Sequence, residues 1–158
     1  FSQFGYNFLP SEMSAAFALE QIKKLKKNIS IRNKNFETLK KLFSNFKNYF
    51  KLPEKFDFVN TPWLAFPLVI KENKKFNRKQ LQIYFESKNI QTRTIFTGNI
   101  LKQPVMKNVF YKKQKNSEDI ANDVMKNGIL IGCHQGLTQD NLNYIYKTFL
   151  NFAKNKKL

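Results

Sequence analysis

The sequence predicts an α/β (α+β) fold: a long N-terminal helix, then a small sheet of about three strands covered by helices. Three observations carry this. Apolar residues recur at helical spacing through the first part of the chain. Short β-branched and aromatic runs follow, punctuated by Pro and Gly. Helix-start signals then alternate with those runs.

In the first segment apolar residues fall at Met13, Ala16, Leu19, Ile22 and Leu25, then at Ile29, Phe36, Leu39, Phe43, Phe46 and Phe50. This spacing makes one stripe on a helix whose outer face is rich in Lys. Pro10 suits a first turn, where its missing N–H is not needed, and Glu12 favours the helix dipole. One very long helix, or two in series, is expected over residues 10–50, preceded by a loop at 1–9. The stripe has more apolar length than a small sheet can cover, so part of it is expected to pack on something outside these 158 residues.

Residues 51–158 then read as a small α/β domain that opens with a loop at 51–62. "WLAFPLVI" (Trp63 to Ile70) reads as a strand, with Pro67 implying an edge position or a bulge. Asn77 reads as an N-cap, flanked by a Phe76–Leu81 hydrophobic staple, for a helix to about Lys88. "IQTRTIF" (Ile90 to Phe96) is a second strand, and a short helix runs from Ser117 to Lys126. "GILIGC" (Gly128 to Cys133) is a third strand. Thr138 caps a last helix with its stripe at Leu142, Ile145, Phe149 and Phe152.

Composition narrows the function. The longest apolar run is far too short to cross a bilayer. The lone Cys133 excludes an internal disulfide and suits a reducing, cytoplasmic compartment. A net charge of +17 raises a nucleic-acid partner, but of 28 basic residues only Arg32, Arg78 and Arg93 are Arg, the planar donor suited to phosphate and base edges. The Lys residues are spread along the chain among abundant Asn, as compositional drift would produce. A basic nucleic-acid module and a non-catalytic interaction domain stay as alternatives, the first resting on charge and the second on the surplus apolar stripe.

Three loops concentrate the residues able to do chemistry. In "GYN", Asn7 with the amides of a helix start could hold an anion, or could simply close a turn. In "TRTIFTGN", Arg93 could fork onto a carboxylate or phosphate, or pair at the surface with Glu86 or Asp119; Asn99 follows at the end of the strand. In "GCHQG", His134 is the only His and could act as acid, base or ligand donor, or be a hydrogen-bonded structural residue. Adjacent strand residues point to opposite faces, so Cys133 and His134 are not expected to pair. No carboxylate cluster or second His accompanies them, so no metal site is expected.

These stretches resemble the C-terminal third of the DegT/DnrJ/StrS-type family, fold-type I pyridoxal-phosphate enzymes acting on nucleotide-linked keto-sugars. In "GYNFLPSEMSAAFALEQIKKL" the family's turn-and-helix pattern is matched by Gly5, Tyr6, Asn7, Ser11, Glu12, Ala15, Ala16 and Gln21, while Leu9 stands where a basic residue is common. "TRTIFTGNILKQP" is similar to a stretch of the CDP-4-keto-6-deoxyglucose 3-dehydrase branch. Gly136, Leu137 and Thr138 match that branch's turn, and Cys133 and His134 depart from it.

The resemblance implies a large cofactor domain upstream, of about two hundred residues, and a homodimer. The chain would then be a fragment, inactive alone and without a catalytic residue of its own. Pyridoxal phosphate, or pyridoxamine phosphate, would be held mainly by that missing domain. Asn7 would reach the cofactor phosphate of the partner subunit. Lys or His at the Schiff-base position would decide between transamination and dehydration, and the cofactor supplies the electron sink in both. Arg93, Asn99 and His134 are the candidates for binding the nucleotide-linked 4-keto-6-deoxy sugar.

Overall fold

The computed structural model describes residues 10–112 and 117–158. Helix α1 runs unbroken from Glu12 to Ser44, so the first segment is one helix. Ser11 is its N-cap, the hydroxyl accepting from Ser14 N–H at 3.4 Å. Pro10 therefore stands just outside the helix and not in its first turn. Phe46 lies in the turn after α1, and Phe50 belongs to a strand, β1 (Phe50–Lys51). Both keep the stripe's destination without its helix: Phe46 packs edge-on against Phe149 at 4.8 Å, and Phe50 is buried.

The other strands are β2 (Ala65–Ile70), β3 (Thr92–Arg93) and β4 (Gly128–Gly132). They form a four-stranded antiparallel sheet in the order β1-β2-β4-β3. The added strand is β1, within a stretch expected to be helix end and loop. The run from Ile90 to Phe96 contributes only two strand residues. Asn89 (φ 57°) and Phe96 (φ 46°) adopt left-handed backbone near its two ends, which limits its extended pairing.

Pro67 sits inside an inner strand, opposite Leu130 of β4. Lys71 N–H turns toward β1, donating to Tyr49 O at 2.8 Å. Alternation turns Val69 and Pro67 the same way, and β1 ends at Lys51, opposite Val69. The missing N–H of Pro67 thus faces a position where β2 has no neighbour, a local edge within the sheet.

Helix α2 (Arg78–Glu86) starts with an Asn77–Gln80 capping box, and α4 (Gln139–Lys156) with one between Thr138 and Asn141. Helix α3 spans Ser117–Asn127. One sheet face presents Phe50, Phe66, Leu68, Ile70, Ile129 and Ile131, all buried against the second half of α1, α2 and α4. Phe36 stacks on Trp63 at 4.1 Å, and Phe43 contacts the rings of Phe50, Phe66 and Phe149. On the opposite face, Lys51 reaches Asp123 of α3 at 2.6 Å. The first half of α1 stands away from this core, with Met13, Phe17, Leu19, Ile22 and Leu25 exposed. No described helix is long and apolar enough to cross a membrane.

Candidate functional site

Because β3 is only two residues long, the flank of β4 is left open beyond it. A cavity of about 380 Å³ forms there, between β4, the Asn89–Gln91 turn and the start of α4. Arg93 and His134 both line it, together with Leu64, Leu130, Asn141 and Tyr144. Two residues chosen from sequence are thereby brought to one place.

The turn from His134 to Leu137 sets the imidazole. Leu137 N–H donates to His134 O at 3.2 Å, and Gly136 N–H donates to the ring's own Nδ1 at 3.1 Å. A Cβ at position 136 would lie 3.1 Å from Nδ1, so a side chain there would press on the ring. With Nδ1 accepting, the proton of the neutral ring sits on Nε2, leaving that nitrogen as a donor. Cys133 points the other way, fully buried, its Sγ donating to Trp63 O at 3.8 Å. Burial pushes its thiol up to about 11, the value of an inert core cysteine. The two residues do not pair, as alternation along the strand predicts.

Arg93 is exposed on the face opposite the aromatic core. Its strand is held by Glu86, whose carboxylate accepts from Thr92 N–H at 2.6 Å and Thr92 Oγ1 at 2.7 Å. These bonds, the hydroxyl's first, hold the Glu86 carboxyl below its usual range. Among the described residues Arg93 forms no ion pair with Glu86 or Asp119, so the surface pairing considered for it is not made. The other two arginines are engaged: Arg32 Nε donates to Gln135 Oε1 at 2.7 Å, and Arg78 Nη1 to Met125 O at 3.1 Å.

Asn99 is not brought to this cavity. It is buried, its Oδ1 accepting from Leu101 N–H at 2.9 Å and its Nδ2 donating to Asn122 Oδ1 at 2.9 Å. These bonds cap a short 3-10 turn and tie it to α3. Asn7 lies outside the described residues. Sequence reasoning missed Asn141, Tyr144 and Leu64, which join the lining through tertiary packing. Asn141 Oδ1 is taken by Thr138 N–H and Oγ1, both at 2.9 Å, so what it has left to offer is its amide N–H. Phe96 was missed as well. It is 88% exposed on left-handed backbone and shares a second hollow with Arg93.

The lining sets a guanidinium, an imidazole N–H and the side-chain amides of Asn89, Gln91 and Asn141 around an apolar wall, and Arg93 as its one charged group suits a ligand with acceptor oxygens. No lysine lines the cavity. Among the described residues no three His, Cys, Asp or Glu side chains group to hold a metal.

The chain is 31% identical over 155 residues to lipopolysaccharide biosynthesis protein RfbH of Salmonella typhimurium, covering 96% of this chain and 35% of that protein. It is 36% identical over 141 residues to GDP-4-keto-6-deoxy-D-mannose 3-dehydratase of Escherichia coli O55:H7, covering 89% and 36% respectively. A crystal structure of GDP-4-keto-6-deoxymannose-3-dehydratase superposes with a TM-score of 0.82 at 36% identity, over 94% of this chain and 38% of that one. The aminotransferase from Psychrobacter cryohalolentis shares the fold, with a TM-score of 0.84 at 14% identity over 99% of this chain and 42% of that one. The chain spans about a third of the length of the curated relatives it matches. Residues 1–150 match the DegT/DnrJ/EryC1/StrS aminotransferase family, and the chain belongs to it.

Proposed function

We propose that this chain is the C-terminal part of a pyridoxal-phosphate-dependent enzyme acting on a nucleotide-linked 4-keto-6-deoxy sugar, as a 3-dehydratase in deoxysugar or surface-polysaccharide biosynthesis. The observation that carries the reading is a donor-lined cavity at Arg93 and His134, in a chain 36% identical to a GDP-sugar 3-dehydratase. A relative's structure with bound GDP-perosamine and another with hydrated pyridoxal phosphate support the ligand classes. In this reading Arg93 receives an anionic group of the nucleotide-sugar and His134 offers its Nε2 proton to a neighbouring oxygen. The cofactor, which supplies the electron sink, is held mainly by residues outside this chain. Asn7 is its contribution to the cofactor phosphate across a homodimer interface. The exposed stripe of α1 packs on the cofactor domain.

The test is turnover by the intact protein, loaded with pyridoxal phosphate and supplied with glutamate and GDP-4-keto-6-deoxymannose, with products read by mass spectrometry. Loss of the C3 oxygen is the expected result. A product carrying a new amino group would place the enzyme with the aminotransferases. An unchanged sugar, together with failure to bind the cofactor, would overturn the reading.

A further inference from the structure

Asn35 is a polar residue buried in the core-facing half of α1, 5% exposed beside the fully buried Phe36 and Leu39. An apolar side chain would fill such a position without the cost of desolvating an amide. Its Nδ2 is directed at the turn that carries His134: it donates to His134 O at 2.9 Å and to Leu137 O at 3.4 Å. Three residues earlier, on the same helix face, Arg32 holds Gln135 of that turn. The turn is therefore tied to α1 by backbone carbonyls at its first and last residues and by the Gln135 side chain between them, while the ring is folded back onto Gly136 N–H. The ring is held through Nδ1 and through the backbone that carries it, although the residue is exposed and lies outside the aromatic core.

We propose that Asn35 is a positioning residue, acting through the His134–Leu137 turn to hold the His134 imidazole in the cavity it shares with Arg93. Removing its amide frees the His134 and Leu137 carbonyls from the helix, so the turn can shift and carry the ring with it. Arg32 supports the same turn from its outer side. The consequence for ligand binding rests on the nucleotide-sugar reading above; the consequence for the ring does not.

Both are tested in the intact protein. The His134 ring signals, assigned by their loss in His134→Gln, are recorded without ligand in the native protein, Asn35→Ala and Arg32→Ala. Affinity for guanosine diphosphate is measured by calorimetry in the native protein, Asn35→Ala, His134→Ala and the double variant. Asn35→Ala is expected to shift or broaden the ring signals and to weaken guanosine diphosphate roughly tenfold, with the double variant no weaker than His134→Ala. Arg32→Ala should move the same signals by less, and it decides the ring question should Asn35→Ala fail to fold. Ring signals unchanged in both folded variants would overturn the proposal, as would losses of affinity that simply add. Should even the native protein fail to bind guanosine diphosphate, the nucleotide reading falls, and the ring signals still decide the role of Asn35.

Discussion

In the first half of α1, Phe17, Leu19 and Ile22 stand 67, 62 and 64% exposed, whereas in the second half Phe36, Leu39 and Phe43 are fully buried. Leu19 and Ile22 belong to the same stripe as the second set. Spacing makes the helix and chooses its apolar face; what covers that face is a matter of reach. At about 1.5 Å per residue the 33 residues of α1 extend roughly 50 Å. The six residues of β2 extend only about 20 Å. A sheet of that size, with α4 beside it, covers one end of the helix and leaves the other for a different partner.

The comparison breaks most sharply at paired aromatic truncations. Phe43→Ala removes a ring that contacts Phe50, Phe66 and Phe149, and should cost about 3–5 kcal/mol in chemical unfolding. Phe17→Ala should stay within about 0.5 kcal/mol in the same assay. A large loss at Phe17 would mean that the exposed half is covered within this chain after all. Placing Lys at both Leu19 and Ile22 should likewise spare the core and reduce self-association, read by sedimentation.

Caps sharpen the contrast on a smaller scale. Thr138→Ala removes half of a capping box on α4, a core helix, and should cost about 1 kcal/mol. Ser11→Ala should leave global unfolding unchanged, because the free end of α1 can fray without opening the core. It should show instead as faster amide exchange confined to the first turn.

The smallest effect is expected near the site. Glu86 has its carboxyl lowered in the folded state by Thr92, so its contribution is complete above the ordinary glutamate range of about 4.3. It is lost as pH falls through the lower, folded value. Acidification should therefore speed amide exchange at Thr92, which anchors the strand bearing Arg93, and Glu86→Gln should flatten that dependence. Exchange at Thr92 that ignores pH, after correction for intrinsic rates, would remove this carboxylate from the account.

Local chemistry was legible in the sequence. Asn77 and Thr138 announce their helices by themselves, and "GILIG" forms its strand where the glycines bound it. Phe46 and Phe50 continue the helical spacing although the chain has already turned, because a turn and a short strand deliver them to the same core. The run around Arg93 has the composition of a longer strand, but left-handed backbone at Asn89 and Phe96 confines its pairing. At the site, Arg93 and His134 stood out as rare residue types. Asn141 and Tyr144 did not, since nothing in α4 marks which of its exposed residues will face β4. Asn99 could have been read as the cap of the residues after it, which is the role its side chain fills.

The most direct test of the proposed function compares Arg93→Ala with Asn7→Ala in the intact protein, following KM for the proposed nucleotide-sugar and the absorbance of added pyridoxal phosphate together. Loss of a charge-assisted hydrogen bond costs about 1.5–3 kcal/mol, roughly ten- to a hundredfold in affinity. Arg93→Ala should raise KM by that factor with cofactor absorbance near normal, while Asn7→Ala should weaken cofactor retention with the fold intact. Equal loss of cofactor in both variants, or unchanged kinetics in Arg93→Ala, would contradict a substrate role for the cavity at Arg93.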